Sequence, residues 1–272
     1  MAIPTLPKPS HQLMVGLLLM LVFSCLSIQK AAAQYNPTIR SARPGQSVGP
    51  FTTGKNVFQV QTGGTYNGYS LDNTDLTGTN YTYLASLRYG ILEKLEIRSA
   101  FALRHDKTSS SDMTAGGLGL WNAGVRYNLL DGHGDKPSLG IQADARFTAV
   151  DEEYKAANLA PRIMLIHGQR LTDKLGLTTN WAVAWTGNNT DPAFNYTVNL
   201  SFPLTEKVGS FIENYGTIFD GDFDNRWDTG LSYLVNNDFL LDMSVGYGKN
   251  DGVSDWFVDA GVSWRVKFGG KQ

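Results

Sequence analysis

The final segment of the chain, from Trp256 to Phe268, alternates between apolar and mostly polar residues without a break. Because successive side chains of a strand point to opposite faces, this segment predicts a ribbon with one apolar face. It is long enough for the roughly 9–11 residues that a tilted strand needs to cross a bilayer. Trp256 and Trp264 lie on the apolar face, and tryptophan is enriched at membrane interfaces. The segment therefore favours a transmembrane β-strand.

The same alternation recurs in twelve segments from about Asn56 onward. Short links such as Thr172–Lys174 alternate with longer polar stretches such as Asp151–Ala157, as periplasmic turns alternate with external loops in outer-membrane barrels. An open sheet edge in lipid would leave backbone groups unpaired, so the sheet has to close. We predict an all-β fold, a transmembrane antiparallel up-and-down β-barrel of about 12 strands over residues 56–268. A soluble β-sandwich, the alternative, would place its polar face outward.

The first 33 residues have the order of a secretory signal peptide, with Lys8 and His11 before the apolar run and Ala31–Ala33 at the cleavage site. The apolar run is shorter than the span of about 20 residues that a membrane helix needs. We therefore predict a cleaved signal peptide over residues 1–33. Residues 34–55 are predicted to be an N-terminal periplasmic segment, and residues 269–272 a C-terminal tail.

Composition narrows the partners of the mature chain. After removal of Lys8 and Lys30 with the signal peptide, 21 Lys and Arg face 25 Asp and Glu, a net charge of −4 that argues against nucleic acid. Cys25, the one cysteine, lies in the signal peptide, so disulfides and thiol chemistry have no residue to use. The expected partners are the lipid bilayer of the outer membrane and a small-molecule solute. The sequence does not indicate an oligomeric state.

Charged residues fall on the polar face of the predicted strands and are the candidates for lining the lumen. They are Arg88, Glu96, Arg98, Arg126, Asp144, Arg146, Arg162, Glu213, Asp228, Asp242, Asp259 and Arg265. Rings of charge can set the selectivity of a pore. Alternatively, these side chains pair across the lumen and fill it, because buried charges need partners. Both interpretations stay open at this stage.

Other motifs give little support for a metal, cofactor or catalytic site. Asp220–Asn225 resembles a calcium loop, but Leu231 stands where the closing glutamate would be. An outer-membrane lipase needs a histidine beside a serine on the outer surface, and only His105 is placed for that role. Its neighbours Ser109–Ser111 are typical of a loop, so no catalytic residue is predicted. An enzyme is the less favoured alternative.

Several segments resemble the Gram-negative outer-membrane barrel family named after the MetA pathway of phenol degradation. They are Leu87–Gly90 with Leu92–Arg98, Ala123–Tyr127, Phe211–Tyr215, Asp228–Tyr233 and Leu241–Tyr247. The resemblance covers most of the mature chain and implies passage of aromatic or other hydrophobic compounds. We therefore predict an outer-membrane channel for passive passage of small, hydrophobic or aromatic solutes. The alternative is a barrel filled by side chains, with a structural or adhesive role and no transport.

Overall fold

A computed structural model describes residues 37–109, 114–132 and 136–269. The predicted signal peptide lies outside these ranges. The chain forms twelve strands: β1 Val57–Leu71, β2 Thr77–Leu92, β3 Leu95–Thr108, β4 Thr114–Leu130, β5 Ser138–Arg146, β6 Ala160–Thr172, β7 Leu175–Ala184, β8 Ala193–Pro203, β9 Val208–Phe219, β10 Asp222–Asn236, β11 Phe239–Asn250 and β12 Val253–Lys267. A short 3-10 helix, Glu152–Tyr154, lies between β5 and β6. None of the described residues belongs to a helix with the length and apolarity needed to cross a bilayer.

The strands form one closed sheet in which each strand pairs antiparallel with its sequence neighbours. The first and last strands close it, with Val57 opposite Lys267 and Leu71 opposite Val253. The predicted twelve-stranded up-and-down barrel is therefore confirmed. Closure leaves every strand with two hydrogen-bonded neighbours, which an open sheet in lipid could not offer.

The two faces of the sheet differ in the way that a lipid solvent requires. Large apolar side chains such as Tyr81, Ile163 and Met243 point outward, each with about half of its surface exposed. Polar side chains at the intervening positions are buried, and Glu96 and Glu213 are 0% exposed. In water this distribution would be inside out, whereas in a bilayer the apolar face meets hydrocarbon and the polar face encloses the interior.

The ends of the barrel are unequal. Tight links of two residues, such as Glu93–Lys94 and Asn237–Asp238, lie at one end, which the fold class places in the periplasm. Strands β2, β4, β6 and β10 each carry a register shift just before that end. At the other end, residues 147–159 form a longer loop above β5, the shortest strand at 9 residues.

Candidate functional site: the charged interior

Every predicted lumen residue lies on a described strand. The structure gathers all of them except Arg265 into a lower basic cluster, an upper basic cluster and an acidic wall. Their placement follows from the period of two, since one polar residue at every second position builds a continuous polar face.

The lower basic cluster surrounds Glu96 on β3. Arg88 donates to both of its carboxylate oxygens, Nε to Oε1 at 2.9 Å and Nη2 to Oε2 at 2.8 Å. Arg126 Nε lies 3.6 Å from Glu96 Oε1, and this guanidinium also donates to Gln142 Oε1 at 2.7 and 2.9 Å. All three charged side chains are 3% exposed or less. Because two guanidinium groups share one buried carboxylate, the cluster carries a net positive charge.

The upper basic cluster lies nearer the external end. Arg98 Nε is 3.5 Å from Asp144 Oδ1, and Asp144 stands directly opposite Arg162 in the register of β5 and β6. Arg146 donates to the carbonyl oxygen of Tyr154 at 2.8 Å. Arg98 and Arg162 therefore share the carboxylate of Asp144, and Arg146 adds a third positive charge two residues along β5.

The acidic wall is formed by β9 to β12 on the opposite side of the barrel. It consists of Glu213, Asp228, Asp242 and Asp259. Asp228 and Glu213 are direct cross-strand partners, a pairing that repels when both are charged. Among the described residues, the carboxylate of Asp228 has no hydrogen-bond partner except Glu213, which can share a hydrogen bond with it only when one of the two is protonated. Arg265, also on β12, lies apart from this wall and donates to Asp238 and to the carbonyl of Pro37 near the periplasmic end.

The N-terminal segment, Pro37–Asn56, runs through the periplasmic half of this interior. Residues 34–55 are predicted from the sequence to be an N-terminal periplasmic segment, and the described residues 37–55 contact inward side chains in the periplasmic half of the barrel. Its position follows from contacts of its backbone. Carbonyl oxygens of Gly49 and Phe51 accept from Arg126, and the amides of Gln46 and Ser47 donate to Glu213 at 2.6 and 3.0 Å.

Further backbone contacts hold the same segment on other strands. Asn180 forms a double hydrogen bond with the amide and the carbonyl of Val48, at 2.8 and 2.9 Å. The amide of Thr53 donates to Glu96 at 2.9 Å. The carbonyl of Pro50 accepts from Asn128 at 3.1 Å. The segment is thus held through both kinds of peptide group, its carbonyls by arginine and asparagine side chains and its amides by carboxylates and the Asn180 side chain.

Arg43 supplies the main side-chain anchor of the segment. Its Nη2 lies 3.0 Å from Asp242 Oδ1 and also contacts Asp259 Oδ1. The guanidinium lies against Gly63 and Gly261, where any added Cβ would overlap it. These glycines are cross-strand partners on β1 and β12. The bare backbone of the pair is what lets Arg43 reach the acidic wall.

Side-chain periodicity does not predict that this segment lies inside the barrel, but the inward glycines of the strands do. Glycines occupy inward positions of several strands where the segment approaches most closely. A Cβ on Gly140 would lie 2.8 Å from the carbonyl oxygen of Pro50, and one on Gly168 would lie 3.2 Å from the ring of Pro50. Inward glycines on a polar barrel face therefore indicated that backbone approaches the wall there.

A cavity of about 780 Å³ lies at the periplasmic end beside the N-terminal segment. The segment lines one side of it with Arg43, Ser47 and Pro50. The wall opposite is made by β6 to β9, including Asn199 and Ser201. Nearby, Met164, Ile166 and Ala182 form a small buried apolar cluster on the inner face of β6 and β7, and Val48 of the N-terminal segment packs on it.

At the external mouth, the 147–159 loop folds back onto β3. The Tyr154 hydroxyl donates to Asp106 Oδ2 at 2.7 Å, and the guanidinium of Arg104 lies 4.9 Å from the Tyr154 ring centre. Desolvation, followed by the hydrogen bond to Asp106, raises the pKa of Tyr154 to about 12. The loop is also fixed on β4, where Asp151 Oδ2 accepts from the amide of Leu118 at 2.6 Å. The mouth is therefore partly covered by an ordered loop.

The residues considered for catalysis or metal binding do not assemble into a site. His105 points outward beside Tyr81. Within the described residues no hydrogen bond joins it to Ser109, whose hydroxyl oxygen accepts from the amide of Thr77. Ser110, Ser111 and His133 lie outside the described residues. The parts of the chain that the structure describes hold no group of three or more His, Cys, Asp or Glu placed around a metal ion.

Comparisons with known proteins agree with this architecture. The model of the family described as "Putative MetA-pathway of phenol degradation" matches residues 41–266. An outer membrane channel from Pseudomonas putida F1 superposes with a TM-score of 0.61 at 11% identity, covering 76% of this chain and 95% of that chain. The NanC porin gives 0.51 at 10% identity, covering 76% and 100%. The Pseudomonas putida toluene transporter TodX gives 0.50 at 9% identity, covering 81% and 92%. Comparison with curated proteins gives no match.

Proposed function

Since this chain belongs to the family named for the MetA pathway of phenol degradation, we propose that it is an outer-membrane channel for passive passage of small, hydrophobic or aromatic solutes. The closed barrel with an apolar exterior is the fold of outer-membrane channels, and the solved neighbours are channels and porins rather than enzymes. The pathway and the neighbouring toluene transporter both concern small aromatic compounds. The solute class of this chain rests on that kinship and on the interior.

The observation that carries the channel proposal is the incomplete pairing of buried charge. In the described residues, Nη1 of Arg98, Nε of Arg146 and Nε of Arg162 are buried without a protein hydrogen-bond partner. Buried charged groups are satisfied by protein or by water, and leaving them without either is costly. A barrel filled by its own side chains would pair these groups. We infer that water reaches them, which requires a hydrated interior.

The N-terminal segment makes this path narrow at the periplasmic end. Solute would pass beside the segment, through the cavity of about 780 Å³, rather than along an open central axis. The rings of Phe51 and Phe211 line this cavity among polar groups. A small aromatic molecule can contact these rings while water stays on the charges. This combination supports a hydrophobic solute of modest size.

Single-channel recording of the purified mature protein in a planar bilayer tests the proposal. We expect discrete current steps, and we expect phenol added to one chamber to interrupt the open current, while glycerol at the same concentration leaves it unchanged. Migration on a gel with and without heating verifies that the barrel is folded. Folded protein that gives no steps would contradict the channel, and equal effects of phenol and glycerol would contradict the aromatic solute.

A structural barrel without transport is the second candidate, because the N-terminal segment occupies the periplasmic half of the interior. Deletion of residues 37–53, followed by measurement of the conductance, distinguishes the channel from the structural barrel. A channel narrowed by the segment conducts before the deletion and conducts more after it. A structural barrel is silent in its intact form and conducts only once the segment is removed.

A further inference from the structure

A slot on the lipid-facing wall lies outside the interior described above. It has a volume of about 660 Å³ and spans β12, β1, β2 and β3. Its floor is made by Gly64 and Ala260, which are cross-strand partners. Tyr83, the partner of Gly64 on the other side, and Leu103 form one wall, and both are more than half exposed. Because the floor residues have small side chains or none and the wall residues have large ones, the slot is a groove about as deep as one side chain.

The bare floor of the slot is open to the membrane. A Cβ added to Gly64 would meet no atom within 4 Å, whereas one added to Gly68 on the same strand would lie 2.7 Å from the indole of Trp256. The floor at Gly64 is therefore not filled by a neighbouring side chain. Its width and apolar walls match a lipid acyl chain, the most abundant apolar chain around such a barrel.

The external end of the slot carries polar and positively charged groups. Outward positions of β3 read Leu103, His105 and Lys107 toward the external loops, and the partner of His105 on β2 is Tyr81. Within the described residues, no carboxylate forms an ion pair with Lys107. Lys249, at the same end of β11, is instead held by Asp72 at 2.8 Å. Within the part of the chain that the structure describes, Lys107 thus offers a positive charge without a paired carboxylate, just beyond the external end of an apolar groove.

We propose that this slot binds a phosphorylated lipid of the outer leaflet, with an acyl chain over Gly64 and Ala260 and the phosphate at Lys107 and His105. A phosphate oxygen accepts from an ammonium and an imidazole N–H, and the Tyr81 hydroxyl is a third donor on the same rim. A phosphorylated lipid is the class of molecule that carries both an acyl chain and a phosphate. Charge at the rim and shape at the floor therefore select the same ligand.

Native mass spectrometry of the mature protein in detergent, titrated with lipid A, measures the binding. Gly64→Leu fills the slot and is expected to weaken binding about tenfold, because an acyl segment loses its buried surface. Ala143→Leu, a lipid-facing enlargement on β5, is the matched control and should leave binding unchanged. Lys107→Gln should weaken binding about fivefold, the contribution of one lysine near an anionic headgroup. Lys249→Gln, its matched control, should have little effect.

Two further arms complete the test. Lipid A stripped of its phosphates should bind the intact protein at least as weakly as lipid A binds the Lys107 variant. Lipid A carrying bromine on its acyl chains should quench the tryptophan fluorescence of the unaltered protein more than that of Trp256→Phe. Equal binding by the Gly64 and Ala143 variants would overturn the proposal, as would equal binding with and without phosphate or equal quenching with and without Trp256.

Discussion

Arg43 Nη2 lies 3.0 Å from Asp242 Oδ1, across the bare backbone of two paired glycines. The contact joins the N-terminal segment to a strand nearly two hundred residues later in the chain. It also neutralises part of an acidic wall that has few other positive partners. The segment and the charge of the interior are therefore linked through one side chain.

Arg43→Gln should loosen the segment and expose the acidic wall. Breaking a buried ion pair by removing one partner costs about 3–5 kcal/mol, enough to shift the segment out of its seat. We expect larger current steps and a reversal potential shifted toward cation selectivity in a salt gradient. Lys55→Gln removes the same charge from an exposed position of the segment and should leave both unchanged. Identical behaviour of the two variants would contradict the anchoring role.

Gly63→Ala should act like the loss of Arg43 while leaving the arginine in place. The new methyl group would overlap the guanidinium and lie 2.6 Å from the carbonyl oxygen of Ala260. The adjacent Gly64→Ala points to open space and is the control. Limited proteolysis within residues 37–56 should be faster in the first variant only. Equal cleavage rates would mean that Arg43 can reach the acidic wall without the bare backbone of Gly63 and Gly261.

Glu96→Gln should destabilise the barrel by about 3–5 kcal/mol, because Arg88 and Arg126 then face each other without their shared carboxylate. Asp238→Asn removes a carboxylate that is 48% exposed and pairs with Arg265, so it should cost about 1 kcal/mol or less. Urea unfolding in lipid vesicles measures both. Similar costs would show that the lower basic cluster is well hydrated rather than buried.

Val198→Arg should lower the yield of folded barrel, since a charge on the lipid face near mid-bilayer costs about 2–4 kcal/mol. Ser201→Arg, three residues along the same strand, places the charge in the periplasmic cavity and should be tolerated. Refolding into lipid vesicles, followed by gel migration, gives the two yields. A reversed order would place the faces of β8 the wrong way round.

The external loop should respond to alkaline pH through Tyr154. Its pKa is raised from 10 to about 12, so the hydrogen bond to Asp106 stabilises the folded loop fully below pH 10 and is lost as the pH rises through about 12. Proteolysis of residues 147–159 should therefore accelerate over that interval. Tyr154→Phe should show the faster cleavage already at neutral pH. A Tyr154→Phe loop as resistant as the unaltered one would contradict the contact.

Strand number and the orientation of strand faces could be predicted from the sequence because lipid imposes a strict alternation. The predicted strand ends were less accurate. The polar composition of residues 70–80 predicts a loop, whereas β1 continues to Leu71 and β2 begins at Thr77. Beyond the membrane both faces of a strand meet water, so the alternation fades although the backbone pairing continues. Pairing is a property of peptide groups that side-chain patterns do not record.

The same limit explains why the path of the N-terminal segment could not be predicted and why β9 has no clear polar face. The segment is held by amides and carbonyls, which every residue carries, so no periodic pattern marks it. Strand β9 has apolar residues on both faces because Phe211 packs inside the barrel near Gly45 of the segment; a Cβ on Gly45 would lie 2.9 Å from that ring. Without knowledge of the segment, an inward phenylalanine had no explanation.

The barrel wall binds the N-terminal segment mainly through peptide groups, so it constrains the side chains of the segment little. Most exchanges at Gln46, Ser47, Val48 or Thr53 would keep the amide that the wall uses, while proline at any of them would remove it. Saturation mutagenesis should thus be nearly silent at Gln46 and Ser47 apart from proline, and costly at Arg43 and at Gly45, where an added Cβ would overlap Phe211. The segment is free to drift in composition while its course through the barrel stays the same.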